Sequence, residues 1–442
     1  MQPKSPSESF EQLMQTDRDH IWHPFTSLVG MSPIPVESAK GVYLFTPDGR
    51  KIIDAVSSWW VNIHGHSHPR IANAIYQQAN TLEHVIFAGF THKPAIKLTQ
   101  RLLSVLPENQ KRIFFSDNGS TAVEVALKMA MQFWFNKQKP RKKVIALEGA
   151  YHGDTFGSMS VGERGDFTRP FHPFLFEVEY IPVPDAENID AVATRLTELV
   201  STNEVAAFIF EPLVQAAAGM VMYPAEYLDT LLRVAKDHGV ICIADEVFTG
   251  FGRTGTLFAT QQLSVLPDIM ALSKGITGGT LPLGVTTCSE EIEDAFMSSE
   301  RSHTFYHGHS YTANPIACAA ACESFDLLMA FECREAIEQI GIQQQKFAEQ
   351  ISNHPMIRDA RACGTILALE LETSGRTSYF NQLRNTIYNY FLERDILLRP
   401  LGNVIYTLPP YVITSAELDS VHRAIQGFLE FLQTGDGATE ET

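Results

Sequence analysis

The chain has 442 residues, 45% of them hydrophobic and 19% charged, with a formal net charge of −17 at pH 7. This length predicts two domains, the apolar fraction excludes a disordered protein, and the acidic surface excludes nucleic acid as an expected partner. No apolar run reaches the roughly 18 residues of a membrane span, and residues 1–14 lack the apolar stretch of a signal peptide. The six cysteines form no CxxC pair, so we expect reduced thiols and a cytoplasmic location.

Short apolar strands and helices alternate along the middle of the chain. The first predicted strand covers 112–116, and the helix after it has apolar residues at the 3.6-residue period and a capping box, Thr121 and Glu124, at its start. Apolar runs at 144–147, 205–210, 240–244, 269–272 and 283–287 predict further buried strands, and 227–238 predicts a helix that ends at Gly239. This succession predicts an α/β fold with a largely parallel sheet covered on both faces.

The pattern changes after about residue 314. A long helical region to about 354 precedes a strand at 365–371, a helix near 382–394, strands at 396–399 and 404–408, a final helix from 416 and a polar tail at 434–442. These elements predict a smaller α+β domain. We therefore expect a large domain over 61–330, a small domain over 331–442, and an N-terminal segment, 1–60, that packs with the small domain.

Three predicted strand ends carry side chains that suit a ligand, and ligands of open α/β sheets gather at the carboxyl ends of the strands. Gly119-Ser120-Thr121 opens a helix, where free N–H groups and the helix dipole favour an anion, although an ordinary capped helix start looks the same. Asp245 follows one buried strand, as many turn-forming residues do. Lys274 follows another, where it is either a surface lysine or a desolvated amine that can act as a nucleophile.

Taken together, the three strand ends match what pyridoxal 5'-phosphate (PLP) requires of a protein. The cofactor needs a lysine for a Schiff base, a carboxylate to keep the pyridine nitrogen protonated, and an anion site for its phosphate. The protonated ring is the electron sink, and Lys274 can then be the base that moves a proton between the two carbons of the imine.

Two longer motifs carry a family resemblance. The run Asp245-Glu-Val-Phe-Thr-Gly-Phe-Gly-Arg-Thr-Gly255, followed by Ser273-Lys274-Gly275, resembles the signature of class III aminotransferases, and the resemblance covers nearly the whole chain. It implies the PLP-dependent transferase fold type I, with a large, mostly parallel-sheet domain and a smaller α+β domain. By this match Lys274 is the Schiff-base lysine and Asp245 is the partner of the pyridinium nitrogen.

The same resemblance implies the other cofactor contacts. Gly119 and Ser120 bind the phosphate, and Gln215 lies near the ring hydroxyl. Members of this family share the active site across a homodimer, which implies that His309 and Ser310 reach the phosphate of the neighbouring subunit.

Five shorter motifs resemble one branch of the class, whose members transfer an amino group to 8-amino-7-oxononanoate in biotin biosynthesis. They are Ile21-Trp-His-Pro-Phe-Thr-Ser27, Ser57-Ser-Trp-Trp60, Asn118-Gly-Ser120, Tyr151-His-Gly-Asp-Thr-Phe156 and Arg399-Pro-Leu-Gly402. The resemblance implies that Tyr151 stacks on the cofactor ring and acts at the reacting centre, and that Asp154 supports the site. It implies that Trp59 lines the substrate pocket with its apolar surface and that Arg399 pairs with the carboxylate of the keto acid. The resemblance also implies that Arg253 helps to hold the acceptor or the donor.

Two features bear on the amino donor. Phe25 stands where the S-adenosylmethionine users have a tyrosine that contributes a hydroxyl to the substrate pocket, and some lysine users also carry phenylalanine there. Trp59 resembles the S-adenosylmethionine users, whereas the run from His307 to Tyr311, with Gly308 among the substrate contacts, is more similar to the lysine users. We predict S-adenosylmethionine as the donor, with lysine as the alternative.

Two other functions fit part of the sequence. One is a class III transaminase that uses a different ω-amino acid with pyruvate as acceptor, and the other is a PLP-fold protein that binds without catalysis. His64, His66 and His68 alternate, but no cysteine or carboxylate beside them in the sequence completes a ligand set, so we predict no metal site.

Overall fold

The computed structural model describes residues 9–30, 32–373 and 383–434. Its helices are α1 Phe10–His20, α2 Ser57–Trp60, α3 Pro69–Ala79, α4 Lys93–Leu103, α5 Gly119–Asn136, α6 Phe156–Ser160, α7 Ile189–Val200, α8 Ala225–Asp237, α9 Glu290–Asp294, α10 Pro315–Leu328, α11 Phe331–Ile351, α12 Leu383–Leu392 and α13 Ser415–Gln433. Its strands are β1 Ser38–Lys40, β2 Tyr43–Phe45, β3 Lys51–Asp54, β4 Gln110–Ser116, β5 Lys143–Leu147, β6 Glu179–Ile181, β7 Val205–Phe210, β8 Val214–Gln215, β9 Val221–Met222, β10 Ile241–Asp245, β11 Ile269–Leu272, β12 Gly284–Ser289, β13 Ile357–Cys363, β14 Ile366–Leu371, β15 Ile396–Leu397 and β16 Val404–Thr407.

The largest sheet has the strand order β4-β12-β11-β10-β7-β5-β6, and β12 runs antiparallel to both of its neighbours while the other pairs are parallel. Successive side chains of a strand point to opposite faces. In β7, Phe208 and Phe210 join one apolar cluster, whereas Ala207 and Ile209 join a second one that also contains most of the apolar side of α5. This two-sided burial confirms the predicted α/β fold with a largely parallel sheet.

Three smaller sheets lie outside the large one among the described residues, and the smallest is the antiparallel pair β8-β9. Another has the order β1-β2-β3-β15, in which β15 pairs parallel to β3 and so joins residues near the N-terminus to residues near the C-terminus. The third, β13-β14-β16, is antiparallel. The domain boundaries at 60 and 330 remain a prediction. Among the described residues, no helix combines the length and the apolar character needed to cross a membrane.

The start of α5 differs from the prediction. Asn118 is the cap: its side chain accepts a hydrogen bond from the Thr121 N–H at 2.9 Å, and the Thr121 hydroxyl accepts one from the Asn118 N–H at 3.1 Å. The predicted capping box of Thr121 and Glu124 is therefore wrong, since asparagine is among the strongest N-cap residues and it stands three residues earlier. Glu124 instead bonds to a different helix, as described below.

The predicted helical region after residue 314 also differs in detail. The region from 314 to 354 consists of two helices, α10 and α11, separated by Met329 and Ala330. The helix near 382–394 is described from Leu383 onward, and most of the predicted tail, 435–442, lies outside the described residues.

Candidate active site

Lys274 lies at the carboxyl end of β11, next to the end of β10 that carries Asp245, because the two strands are parallel neighbours. It begins a short 3-10 helix, Lys274–Thr277, with a φ of 45°, a strained conformation for a residue with a side chain. Its ammonium nitrogen lies 4.6 Å from the ring centre of Trp60 and 5.6 Å from that of Phe248. The structure therefore places the predicted lysine against apolar walls.

Burial is the main influence on this lysine. Burial lowers the pKa of Lys274, the carboxylates of Asp245 and Glu211 oppose the shift, and Arg253 adds to it, so that the resulting pKa is about 8. A low dielectric disfavours the charged ammonium. The side chain thus has a usable fraction of neutral, nucleophilic amine near neutral pH.

Asp245 is buried and held by two donors. One of its carboxylate oxygens lies 2.7 Å from Nδ1 of His152, and the other accepts the N–H of Val247 at 3.0 Å. His152 Nε2 is buried and has no hydrogen-bond partner in the described part of the chain. His152 lies directly after Tyr151 within the run 151–156, but its role was not predicted from the sequence.

Glu211 is a second carboxylate that the sequence analysis missed. It follows β7, is buried, and accepts hydrogen bonds from the N–H groups of Tyr151 at 3.0 Å and Ala216 at 3.2 Å. Burial raises the pKa of Glu211, His152 opposes the shift and Asp245 adds to it, so that the resulting pKa is about 7. The signal for this residue was its place after an apolar strand, the same signal that identified Asp245.

The predicted phosphate site lies where the start of α5 meets the loop after β5. The Ser120 hydroxyl accepts a hydrogen bond from the Asp154 N–H at 3.1 Å. A Cβ at Gly153, which has a φ of 130°, would lie 2.1 Å from the Ser120 hydroxyl oxygen, and a Cβ at Gly119 would lie 2.6 Å from Val247. Only glycine fits at both positions, so the backbone of the loop approaches the helix start closely.

Glu124 locks this loop in place from within α5. One of its carboxylate oxygens accepts hydrogen bonds from the Thr155 hydroxyl at 2.5 Å and from the N–H groups of Gly157 at 2.7 Å and Ser158 at 3.2 Å. The Ser158 hydroxyl in turn donates to the carbonyl of Ser120 at 2.8 Å. The starts of α5 and α6 therefore form one rigid unit, which carries both the predicted phosphate site and Tyr151.

Tyr151 and Asp154 bond to each other within that loop. The Tyr151 hydroxyl donates to the Asp154 carboxylate at 2.9 Å. Burial raises the pKa of Tyr151, and Asp154 raises it further, so the hydroxyl keeps its proton as a donor.

Gln215 lies in β8 with its side chain fully buried. Its amide nitrogen donates to the carbonyl of Glu148 at 3.0 Å, and its amide oxygen has no partner in the described part of the chain. A buried acceptor without a partner costs free energy unless a bound group or water satisfies it.

The residues predicted to line the substrate pocket come from distant parts of the chain and meet at Trp59. The ring of Phe25 packs edge-on against Trp59 with 5.5 Å between the ring centres, and the Arg399 guanidinium lies 4.4 Å from the Trp59 ring centre. Arg399 follows β15, which pairs with β3 just before the turn that carries Trp59. Three predicted substrate residues thus form one surface.

Arg253 is the exception among the predicted substrate residues. Its guanidinium is almost fully buried and donates to the backbone carbonyls of Pro409 at 3.1 Å, Trp60 at 3.2 Å and Asn62 at 3.4 Å. It therefore ties three segments together, and its contact with a substrate remains a prediction.

The run containing Gly308, His309 and Ser310 packs beside α5. Nδ1 of the adjacent His307 lies 2.9 Å from the amine nitrogen of Lys128, which belongs to α5. His309 Nε2 is buried and has no hydrogen-bond partner in the described part of the chain. Gly308 and Ser310 are exposed on the single subunit. Their predicted contact with a neighbouring subunit remains a prediction.

The observed residues fit PLP. Lys274 offers an amine with a lowered pKa, Asp245 offers a buried carboxylate, and two buried atoms, His152 Nε2 and Gln215 Oε1, lack partners. The helix start at Ser120 offers free N–H groups for a phosphate. These are the functional groups that the cofactor requires.

Comparison with known proteins gives the same family. The chain matches the class-III aminotransferase family over residues 26–429. The adenosylmethionine-8-amino-7-oxononanoate aminotransferase of Synechococcus elongatus is 49% identical over 422 residues, covering 93% of this chain and 98% of that protein. The enzyme of the same name from Geobacter sulfurreducens is 38% identical over 437 residues, covering 94% and 96%.

Solved structures agree with this assignment. The adenosylmethionine-8-amino-7-oxononanoate aminotransferase of Methanocaldococcus jannaschii matches with a TM-score of 0.89 and 34% identity, covering 95% of this chain and 99% of that one. The ω-transaminase of Pseudomonas jessenii, solved in complex with PMP, matches with a TM-score of 0.88 and 26% identity, covering 96% and 99%. The chain therefore belongs to the class-III aminotransferases, which are PLP-dependent transaminases of fold type I.

Proposed function

We propose that this protein transfers an amino group from S-adenosylmethionine to 8-amino-7-oxononanoate, forming 7,8-diaminononanoate in biotin biosynthesis by a ping-pong cycle. The observation that carries the proposal is the surface formed by Phe25, Trp59 and Arg399, which offers an aromatic wall for an aliphatic chain and a cation for a carboxylate at its end. The similarity to relatives with that activity in their names supports it.

The chain's own residues have distinct tasks in this proposal. Bound PLP supplies an electron sink for the electron pair that remains when a proton leaves the substrate carbon. Asp245, held in place by His152, stabilises positive charge on the ring nitrogen. Lys274 accepts and returns the proton, for which its lowered pKa is suited because a base works best near the operating pH.

Two groups hold the organic substrate in this proposal. Arg399 binds its carboxylate with two parallel hydrogen bonds, a geometry that lysine cannot reproduce. Tyr151, whose hydroxyl is bonded to Asp154, covers the cofactor ring and excludes water from the reacting carbon.

The Arg399→Ala variant tests the pocket. Loss of a charged, two-bond contact raises the KM of the oxononanoate by about 10- to 100-fold, while the Kd of PLP, measured by fluorescence titration of the apoprotein, stays within about twofold. Arg399→Lys keeps the positive charge but cannot form two parallel hydrogen bonds, so we expect its KM for the oxononanoate to lie between those of the wild type and of Arg399→Ala. Equal losses in the keto-acid half-reaction and in PLP binding would contradict this role of Arg399.

The donor is tested in a separate half-reaction. The PLP form is mixed with S-adenosylmethionine or with lysine, and the change of its absorption spectrum shows which amine converts it to the pyridoxamine form. Conversion by lysine alone would favour the alternative donor, which Phe25 and the run 307–311 also fit. A Phe25→Tyr variant then measures what the missing hydroxyl contributes.

A second candidate is an ω-amino acid:pyruvate aminotransferase, and similar solved structures include ω-transaminases. Turnover of β-alanine or 4-aminobutyrate with pyruvate, together with no turnover of the oxononanoate, would replace the first proposal with this one.

We also propose that the protein is a cytoplasmic homodimer. Large apolar side chains are exposed on the single subunit, including Val29 at 89%, Trp22 at 79%, Phe174 at 74% and Tyr306 at 70%. Exposed apolar surface of this kind marks an interface with another chain. The six cysteines are free thiols, which suits a reducing compartment.

A further inference from the structure

The turn that carries Trp59 and Trp60 has an unusual backbone. Ser57, Ser58 and Trp60 have φ angles of 52°, 60° and 67°, and none of them is glycine. Such conformations are costly for residues with a Cβ, and they persist only where surrounding groups hold them. The structure must therefore contain groups that hold this turn.

Asp54, the last residue of β3, is the main one. Its fully buried carboxylate accepts hydrogen bonds from the Val56 N–H at 3.2 Å, the Ser58 N–H at 2.8 Å and the Ser58 hydroxyl at 3.0 Å. Its fourth neighbour is His66 Nε2, at 2.9 Å. All four groups that face the carboxylate are therefore hydrogen-bond donors.

His66 is itself held in one orientation. Its Nδ1 accepts a hydrogen bond from the Asn62 amide at 3.0 Å, so Nε2 carries the hydrogen that it donates to Asp54. Its backbone pairs with that of Gly41 through hydrogen bonds of 2.7 and 3.2 Å. The histidine thus fixes the carboxylate relative to the rest of the fold.

The turn presents two aromatic walls to the site. The Trp60 ring faces the Lys274 amine, and its Nε1 donates to the Tyr406 hydroxyl at 3.0 Å. Trp59 contacts Phe25 and Arg399. A shift of the turn would therefore move one wall of the lysine and one wall of the proposed substrate pocket together.

We propose that Asp54, with His66 behind it, is a positioning residue that holds the left-handed Ser57–Ser58 turn and thereby sets the substrate wall formed by Trp59. The part of this inference that concerns substrate rests on the proposed function, whereas the part that concerns the tryptophans does not.

The Asp54→Asn variant tests it. Asparagine has the same shape, but each carboxylate oxygen accepts two of the four hydrogen bonds, so the NH2 group faces two of the donors and removes the acceptor that they share. We expect the KM of the keto acid to rise about tenfold, with kcat changed by less than about threefold. The near-UV circular dichroism of the apoprotein, which reports its tryptophans, changes as well. Asp48→Asn, the same replacement at an exposed position before β3, changes neither quantity.

A double-mutant cycle separates positioning from a general loss of stability. If Asp54 acts through Trp59, the double variant Asp54→Asn/Trp59→Ala should raise KM by less than the product of the two single effects. The reason is that Trp59→Ala removes the indole ring that Asp54→Asn would otherwise displace. Effects that multiply fully, or an Asp54→Asn variant with unchanged KM and circular dichroism, would overturn the inference.

Two other outcomes are an Asp54→Asn variant that does not fold and a wild-type protein that does not convert the oxononanoate. If Asp54→Asn does not fold, Ser58→Ala removes a single donor to Asp54, and we expect about a threefold rise in KM; an unchanged KM contradicts the inference. If the wild-type protein does not convert the oxononanoate, the proposed function fails. The apoprotein spectrum of Asp54→Asn then decides the inference alone: a changed spectrum supports it and an unchanged one overturns it.

Discussion

At the residue scale, Lys274 is subject to opposing influences from burial and charge. Burial against Trp60 and Phe248 favours the neutral amine, while Asp245 and Glu211 favour the ammonium. The burial effect is larger, and the pKa of Lys274 falls from 10.5 to about 8. This balance suits the two roles proposed for Lys274, first as a nucleophile and then as a base.

The rate at which the apoprotein captures PLP should follow this titration. Only the neutral amine attacks the aldehyde, so the capture rate rises with pH and reaches half its maximum near pH 8. Stopped-flow absorbance of the apoprotein mixed with PLP measures it. Asp245→Asn removes a charge that raises the pKa, so its midpoint moves to lower pH. A wild-type midpoint near 10.5, the ordinary value, would show that the lysine is solvated in the apoprotein.

The same shift predicts that the lysine destabilises the apoprotein. The folded-state pKa of about 8 lies below the ordinary value of 10.5, so the unfolded chain binds more protons between these pH values, and stability rises with pH there. Lys274→Met should therefore raise the Tm of the apoprotein, most strongly below pH 8, with a gain that vanishes above 10.5. Differential scanning calorimetry across this range measures it. Lys142→Met, at an exposed lysine, serves as the control, and an equal gain there would contradict the argument.

At the scale of elements, the active site depends on contacts between helix starts. Glu124 joins α5 to α6, and Ser120 accepts a hydrogen bond from the loop between β5 and α6. The proposed phosphate site and Tyr151, which is proposed to cover the cofactor ring, therefore lie on one hydrogen-bonded unit, so a displacement of the loop moves both.

Removing the Glu124 side chain should weaken PLP binding, although Glu124 bonds to the loop and is not a proposed contact of the cofactor. Glu124→Ala leaves the N–H groups of Gly157 and Ser158 without their acceptor, and we expect the Kd of PLP to rise about tenfold. Glu124→Gln keeps an oxygen acceptor and should restore most of the affinity. Fluorescence titration of the apoproteins compares them. An alanine variant that binds PLP as the wild type does would show that the loop holds its position alone.

The elements that the sequence could predict are those governed by local pattern. The strand at 205–210 and the helix ending at Gly239 follow from apolar runs and a glycine with a φ of 68°. The role of Glu124 did not follow, because the capping-box spacing is local whereas its partners lie more than 30 residues away. His152 was missed for the same reason, because its partner Asp245 lies 93 residues away. Glu211, in contrast, stands directly after an apolar strand, as Asp245 does, and could have been identified from that position.

At the scale of the whole molecule, charge and apolar surface act in opposite directions on assembly. A net charge of −17 on each chain opposes the approach of two copies, while exposed aromatic side chains favour it. Salt screens the repulsion far more than it affects apolar contact. The proposed homodimer should therefore become tighter from low to moderate ionic strength, as measured by sedimentation equilibrium, and dissociation with added salt would contradict it.

A mixing experiment tests whether two subunits share one site. Lys274→Ala removes the amine, and Ser310→Asp places a negative charge where the proposal has the partner's phosphate, so each homodimer should be nearly inactive. Ser310 is exposed on the single subunit, so the aspartate should not disturb folding. A heterodimer of the two has one site with an intact lysine from one chain and an intact serine from the other.

Random exchange between the two variants should therefore restore about a quarter of the wild-type sites, because half of the dimers are mixed and each has one good site of two. If both groups served the same subunit's site, neither chain of the mixed dimer would have a complete set, and no activity would return. Ser302→Asp adds the same charge at a nearby exposed position and should be active by itself. Restored activity together with a matching stoichiometry of bound PLP would establish that the run 307–311 completes the neighbouring subunit's site.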